Sequence, residues 1–156
     1  FMHEECGLAA KVVVEGLSRG GYFAFNWAAA NPDKVACLYV DAPVCDLTSW
    51  PGRKDQELWN GFLKEWGVAD SEVDSTFRGN AMQQLPALAK AGIPIISVCG
   101  DSDTVVPFEE NFRPVGDAYR QMGGTVELIV KPGCDHHPHS LDDPTPIVTF
   151  IEQHQQ

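Results

Sequence analysis

Lys11-Val12-Val13-Val14-Glu15-Gly16-Leu17-Ser18-Arg19-Gly20-Gly21 is the stretch that decides the fold. A short Val-rich run has the composition of a strand covered on both faces. It passes through a glycine-flanked serine into Gly20 to Ala30, where Phe23 and Trp27 share one helical face and Ala24 and Ala28 allow close approach to a sheet. Strand, sharp turn and helix are the context in which a Gly-x-Ser-x-Gly segment lifts its serine hydroxyl above the sheet. Glycine suits both ends because so tight a turn forces strained angles on the serine, and a neighbouring Cβ would obstruct it. The backbone N–H of Arg19, at the helix start, is placed to donate to a developing oxyanion. A Gly-rich phosphate loop or a plain tight turn is the competing reading.

Further along, Val35 to Asp41, Ile93 to Cys99 and Thr125 to Lys131 are short, apolar or β-branched, and read as strands. Glu109 to Met122, ended by Gly123-Gly124, and Thr145 to His154, with Pro146 in its first turn, read as helices. Strands alternating with helices predict an α/β fold, a mostly parallel sheet with flanking helices. The pattern changes at about residues 42–84, where Trp50, Trp59 and Trp66 lie in a loop-and-helix stretch without a strand, read as a small cap insertion over the sheet. Phe1 to Leu8 reads as the tail of a helix capped by Gly7. A sheet whose first strand bears the serine has an open edge that needs cover, so the chain is read as the C-terminal part of a domain truncated at its N-terminus.

The 156 residues, 44% apolar and 21% charged, predict one globular domain. A net charge of −11 without a Lys or Arg block repels polyanions, which argues against a nucleic-acid partner. No apolar run approaches the roughly 20 residues that cross a bilayer, and no leader is visible, so compartment stays open. The five cysteines lack CxxC spacing, against a zinc ribbon or a dense disulfide framework. Cys99 and Cys134 each follow a strand and are candidates for a bridge, with free thiols the stronger expectation.

A serine nucleophile needs a histidine base and a carboxylate that orients it. Gly100-Asp101-Ser102-Asp103 directly follows the third strand, at the carboxyl edge where open α/β sheets place their sites. Asp103 is the expected acid, Asp41 at the end of the second strand is the reserve, and Asp101 is as well explained as a helix cap. The base is expected in Pro132-Gly133-Cys134-Asp135-His136-His137-Pro138-His139, with His136 presented by the turn and His137 and His139 structural or in contact with substrate. The histidines also permit a metal site, although their spacing matches neither HExxH nor another strong ligand pattern, and no metal is assigned.

Val14 to Gly21, Asp41 to Asp46, Ser49 to Gly52, Cys99 to Pro107 and His136 to Leu141 together resemble the α/β-hydrolase superfamily. Within it they are most similar to a bacterial group of esterase and prolyl-oligopeptidase-like hydrolases. The resemblance implies a Ser18-Asp103-His136 triad, no obligatory cofactor, and cleavage of an ester through an acyl-enzyme, with a small-molecule or carbohydrate-linked acyl substrate. Trp50 is expected either to stack on that substrate or to serve as core. A complete member supplies a second oxyanion donor from a loop after an early strand, so this piece alone is expected to be poorly active, or to associate with an N-terminal half or with itself. The alternatives are a catalytically inactive binding protein on the same fold and a metal-dependent hydrolase built on the His-rich loop.

Overall fold

Strands β1 (Val12–Leu17), β2 (Val35–Asp41), β3 (Ile95–Gly100) and β4 (Val126–Lys131) pair in parallel in the order β1-β2-β3-β4. The structure is a computed structural model that describes residues 3–52 and 54–155. Register sets Leu17 beside Asp41, Asp41 beside Val98, and Gly100 beside Lys131. The segments that follow each strand therefore leave along one common edge.

Helices α1 (Gly20–Ala30), α3 (Ala81–Ala91) and α4 (Phe112–Gln121) return the chain between successive strands, and α5 (Thr145–His154) follows the last. A sheet that grows strand by strand in one direction through right-handed crossovers puts those crossover helices on one face. That face holds the main core, where Phe25, Leu38, Val40, Leu85, Leu88, Ile95, Phe112 and Tyr119 are buried together. Cys37, Tyr39, Ile96 and Val98 point the other way, onto Ile147 and Phe150 of α5. The period of two in β2 and β3 thus feeds two cores, and every residue of both strands is buried. β1 and β4 are only partly covered, and β1 has no strand on its outer side among the described residues.

On α1 the alanine face is inward, with Ala24 and Ala28 buried, while Phe23 is 56% and Trp27 43% exposed. The sequence assigns no helix between Gln84 and Ile93, yet α3 occupies most of it with Pro86 inside. An interior proline costs about 3 kcal/mol, but Ala81, Leu85 and Leu88 recur at i, i+4 and i+7 and are fully buried, and two buried leucines at about 1.5–3 kcal/mol each offset it. α4 starts three residues after its expected beginning at Glu109, because Phe108 to Asn111 form turns in which the Asn111 side chain donates to Pro107 O at 3.0 Å. At the start, His3 to Cys6 form a single turn closed by the N–H of Gly7 (φ +67) on His3 O, where a longer helix tail was expected. Phe1 and Met2 of that expected tail lie outside the described residues.

The 42–84 stretch contains no strand among its described residues. Its helix α2 (Gln56–Trp66) is capped by the Asp55 carboxylate, which accepts from Leu58 N, and by Gly67 in the left-handed region. Trp59, Phe62, Val73 and Phe77 form a third buried cluster with Val44, Leu47 and Val106. No described helix is long and apolar enough to cross a membrane.

All five cysteines are free, so the candidate Cys99–Cys134 bridge is absent. Burial pushes the Cys37 thiol up to about 11 and the Cys99 thiol up to about 12, and the thiolate is the reactive form. In the native protein, an aromatic disulfide reagent is expected to modify exposed Cys6 and to spare Cys37, Cys45 and Cys99. Titration in denaturant without reductant should count five thiols, and a count of three would reveal a bridge.

Candidate active site

The residue after β1 is Ser18, with φ +51, a left-handed conformation that costs a non-glycine residue on the order of 1–3 kcal/mol. Three backbone bonds hold it: Ser18 N donates to Asp41 O at 2.8 Å, and Ser18 O accepts from Gly21 N and Val44 N, each at 2.9 Å. The glycine requirement is distributed differently from the expectation. A Cβ on Gly16 would lie 2.7 Å from Gly20 O and one on Gly21 2.3 Å from the Pro43 side chain, whereas one on Gly20 would meet open space. The crowding comes from β1 packing on α1 and from the loop after β2 crossing the helix start. Arg19 is the N-cap of α1 with helical angles, so its N–H belongs to the helix's first, outward-directed set.

From the segment after β3, the Asp103 carboxylate accepts from Val105 N at 2.9 Å and Val106 N at 2.8 Å through one oxygen. Its other oxygen faces His136 Nδ1 at 2.7 Å, and His136 Nε2 lies 2.9 Å from Ser18 Oγ. A carboxylate only accepts, so Nδ1–H donates to Asp103 and the lone pair of Nε2 is left for the serine O–H. Asp103 and His136 are buried, at 7% and 6% exposure, where water competes weakly for those bonds. The structure therefore brings Ser18, Asp103 and His136 into one hydrogen-bonded line. Such a line can take a proton from a hydroxyl and stabilise the imidazolium that results.

Two neighbouring aspartates register the acid segment against the histidine segment. Asp135 Oδ1 accepts from Thr104 N at 2.7 Å and His136 N at 2.8 Å, and those two backbone donors hold its carboxyl below the usual range. Asp101, expected as a helix cap or site acid, does neither and instead accepts from Gly133 N at 2.7 Å. Between them Ser102 N donates to Cys134 O, and Gly100 is so close that a Cβ would sit 2.2 Å from the same oxygen. Sequence reasoning gave neither Asp135 nor Asn111 a positioning role. Asn111 Oδ1 accepts from Cys45 N and Asp46 N, and its Nδ2 donates to Ser49 Oγ, so it pins the loop after β2 to the start of α4. A polar residue facing inward before an amphipathic helix was the available signal.

Asp41, the reserve acid, does not contact His136. One of its oxygens accepts from His139 Nδ1 at 2.9 Å, the other from Tyr39 OH at 2.9 Å and Ser140 N at 2.6 Å. Burial and the adjacent Asp41 carboxylate push the Tyr39 phenol well above its ordinary range, which keeps it the donor. His137 is exposed and His139 half-buried, and both rings pack edge-on against His136. Trp50 is half-buried: it packs on the third cluster and also lines a cleft of about 410 Å³ with Arg19, Tyr22, Phe23, Glu57 and Glu65. The core expectation for Trp50 is met in part, and the expected stacking on a substrate remains a proposal for the face that lines the cleft. An Asp41→Ala substitution should lower stability by about 2–5 kcal/mol, because it strips partners from a buried phenol and the Ser140 N–H. Urea denaturation checks this, and an unchanged midpoint would mean that these bonds do not order the histidine loop.

The whole described chain matches a known family, the prolyl oligopeptidase family, over residues 3–155. It is 26% identical over 134 residues to acylamino-acid-releasing enzyme 2 of Oryza sativa subsp. japonica, covering 82% of this chain and 17% of that protein. Among solved structures, acylaminoacyl peptidase of Pyrococcus horikoshii superposes with a TM-score of 0.71 at 17% identity, over 99% of this chain and 26% of that one. An alpha/beta hydrolase from a sediment metagenome of the Mar Chica lagoon, Morocco, gives 0.57 at 20% identity, over 97% of this chain and 64% of that one. The chain thus spans about a sixth of the rice relative, and the two structures establish the α/β-hydrolase fold. On its sequence and its fold together, this chain belongs to the prolyl oligopeptidase family of α/β hydrolases.

Proposed function

We propose that this chain carries the catalytic centre of a serine hydrolase that cleaves acyl bonds through an acyl-enzyme. The observation that carries the reading is the unbroken line from Asp103 Oδ2 through the His136 ring to Ser18 Oγ, at 2.7 and 2.9 Å. In this reading His136 Nε2 takes the serine proton as Oγ attacks the carbonyl carbon, and Asp103 holds the tautomer and steadies the imidazolium. The Arg19 N–H stabilises the oxyanion of the tetrahedral intermediate. His136 then returns the proton to the leaving group as the acyl-enzyme forms, and water reverses the sequence to release the acid.

The scissile bond is where this reading departs from the sequence expectation. An ester was expected there, whereas the named relatives are acylamino-acid-releasing and acylaminoacyl peptidase proteins. That supports an amide bond in an acylated peptide as the substrate class. The cleft beside Arg19, with Tyr22, Phe23 and Trp50 on its walls, offers apolar surface for an acyl or aromatic side chain.

A fluorophosphonate probe should label Ser18 and leave Ser18→Ala unlabelled. Asp103→Asn, which reverses the donor and acceptor available to Nδ1, should reduce turnover by about 10³–10⁴-fold. Paired substrates with one acyl-phenylalanyl group, as the nitroanilide and as the nitrophenyl ester, separate the bond classes. Cleavage of both supports the peptidase reading, and cleavage of the ester alone returns the chain to a carboxylesterase. A folded protein that neither labels nor cleaves either substrate would instead be a non-catalytic binding domain.

A further inference from the structure

Three of the five histidines of this chain fall within four residues, at His136, His137 and His139. Their candidate ligand atoms all lie within 4.8 Å of one another. The ring centroids are 5.0, 5.0 and 4.6 Å apart, and the planes meet at 75°, 77° and 76°, so the imidazoles stand as three mutually steep walls around a common point. At a Zn–N bond of about 2.0–2.1 Å and tetrahedral angles, three coordinating imidazoles have centroids about 5 Å apart and nitrogens about 3.4 Å apart. The rings already stand at that separation, and ligation requires mainly that their nitrogens turn inward.

The surroundings of the rings strengthen this. Asp103 accepts from His136 Nδ1 and Asp41 faces His139 Nδ1, at 2.7 and 2.9 Å. A carboxylate on one ring nitrogen fixes the neutral tautomer and raises the basicity of the other nitrogen, the arrangement that supports histidine ligands in zinc sites. It leaves Nε2 of both rings as the ligand atoms. His137 is exposed on the solvent side of the other two rings, which leaves an entry path for the ion. Imidazole donors suit zinc, copper and nickel, and a triad that offers nitrogen ligands without oxygen ones argues against calcium or magnesium.

We propose that His136, His137 and His139 bind one Zn²⁺ ion, and that its occupancy switches the hydrolase off. The lone pair of His136 Nε2 can accept either the Ser18 proton or the metal, because Ser18 Oγ stands 2.9 Å from that same nitrogen. Zinc and catalysis therefore compete for one atom. The metal has no part in the reaction itself, and only the inhibitory half of the proposal rests on the serine hydrolase reading.

Cobalt serves as the spectroscopic probe, titrated into the full chain in chelator-treated buffer. The expected result is a visible absorption band of a tetrahedral site that saturates at one equivalent and is displaced by Zn²⁺. His137→Gln and His139→Gln should each weaken binding at least tenfold, with circular dichroism confirming the fold, and the remote His154→Gln should leave it unchanged. Zn²⁺ should slow fluorophosphonate labelling of Ser18, EDTA should restore it, and His137→Gln should label at its own metal-free rate with zinc present. Absent or unsaturable cobalt binding, or binding that survives both loop substitutions, overturns the site. Stoichiometric binding with undiminished labelling overturns the switch. A protein that never labels even without metal sinks the hydrolase reading, while the cobalt titration still decides the site.

Discussion

Asp41 ends a central strand with every oxygen occupied. Its carbonyl accepts from Ser18 N, one carboxylate oxygen faces His139, and the other accepts from Tyr39 OH and Ser140 N. One buried residue thereby relates the loop that carries the serine to the loop that carries the histidines, although 118 positions separate Ser18 from His136. The carboxylate is 1% exposed on its side chain, a location that is costly for a charge unless hydrogen bonds surround it. Those bonds are the order of the site. Together with Lys131 Nζ, which donates to Ser140 O at 3.1 Å, they hold Ser140 at φ +64, a conformation that L residues avoid.

The same logic recurs around the sheet edge. Ser18, Ala42 and Ser140 are the described non-glycine residues with positive φ, and all three lie at the carboxyl ends of strands or in the histidine loop. Strain is concentrated where the side chains must converge, and the two cores beneath it supply the rigidity that maintains it. Asp135 and Asp101 fasten the acid loop to the histidine loop, so Asp103 and His136 are held as a unit. Asn111 does the corresponding work on the loop after β2.

Much of this was legible in the residues themselves. The Val-rich run before Gly16 and the four-residue spacing after Gly20 announce strand and helix, and β2 and β3 are apolar because both of their faces are buried, whereas β1 and β4 are only partly covered. The candidate acid and base were legible because loops that follow strands in a parallel sheet share one edge, which reduces a three-dimensional question to an order along the chain. What escaped was anything decided by partners distant in sequence. α3 escaped because Pro86 argues locally against a helix that its buried leucines enforce from outside. On the helix side of the turn Gly21, and not Gly20, is the crowded glycine, because Pro43 arrives from the loop after β2. The role of Asp41 was hidden because a carboxylate that positions and one that orients the base look alike on paper.

The strictly sequential strand order has a temporal meaning. Ser18 follows the first strand, Asp103 the third and His136 the fourth, and each βαβ unit packs onto the one before it. As a chain emerges from the ribosome, the turn of Ser18 and the loop of Asp103 can be assembled while His136 is still unmade. The hydrogen-bonded line of the three residues is therefore completed only after the last strand has docked, and a chain that ends before it holds Ser18 without its His136 partner.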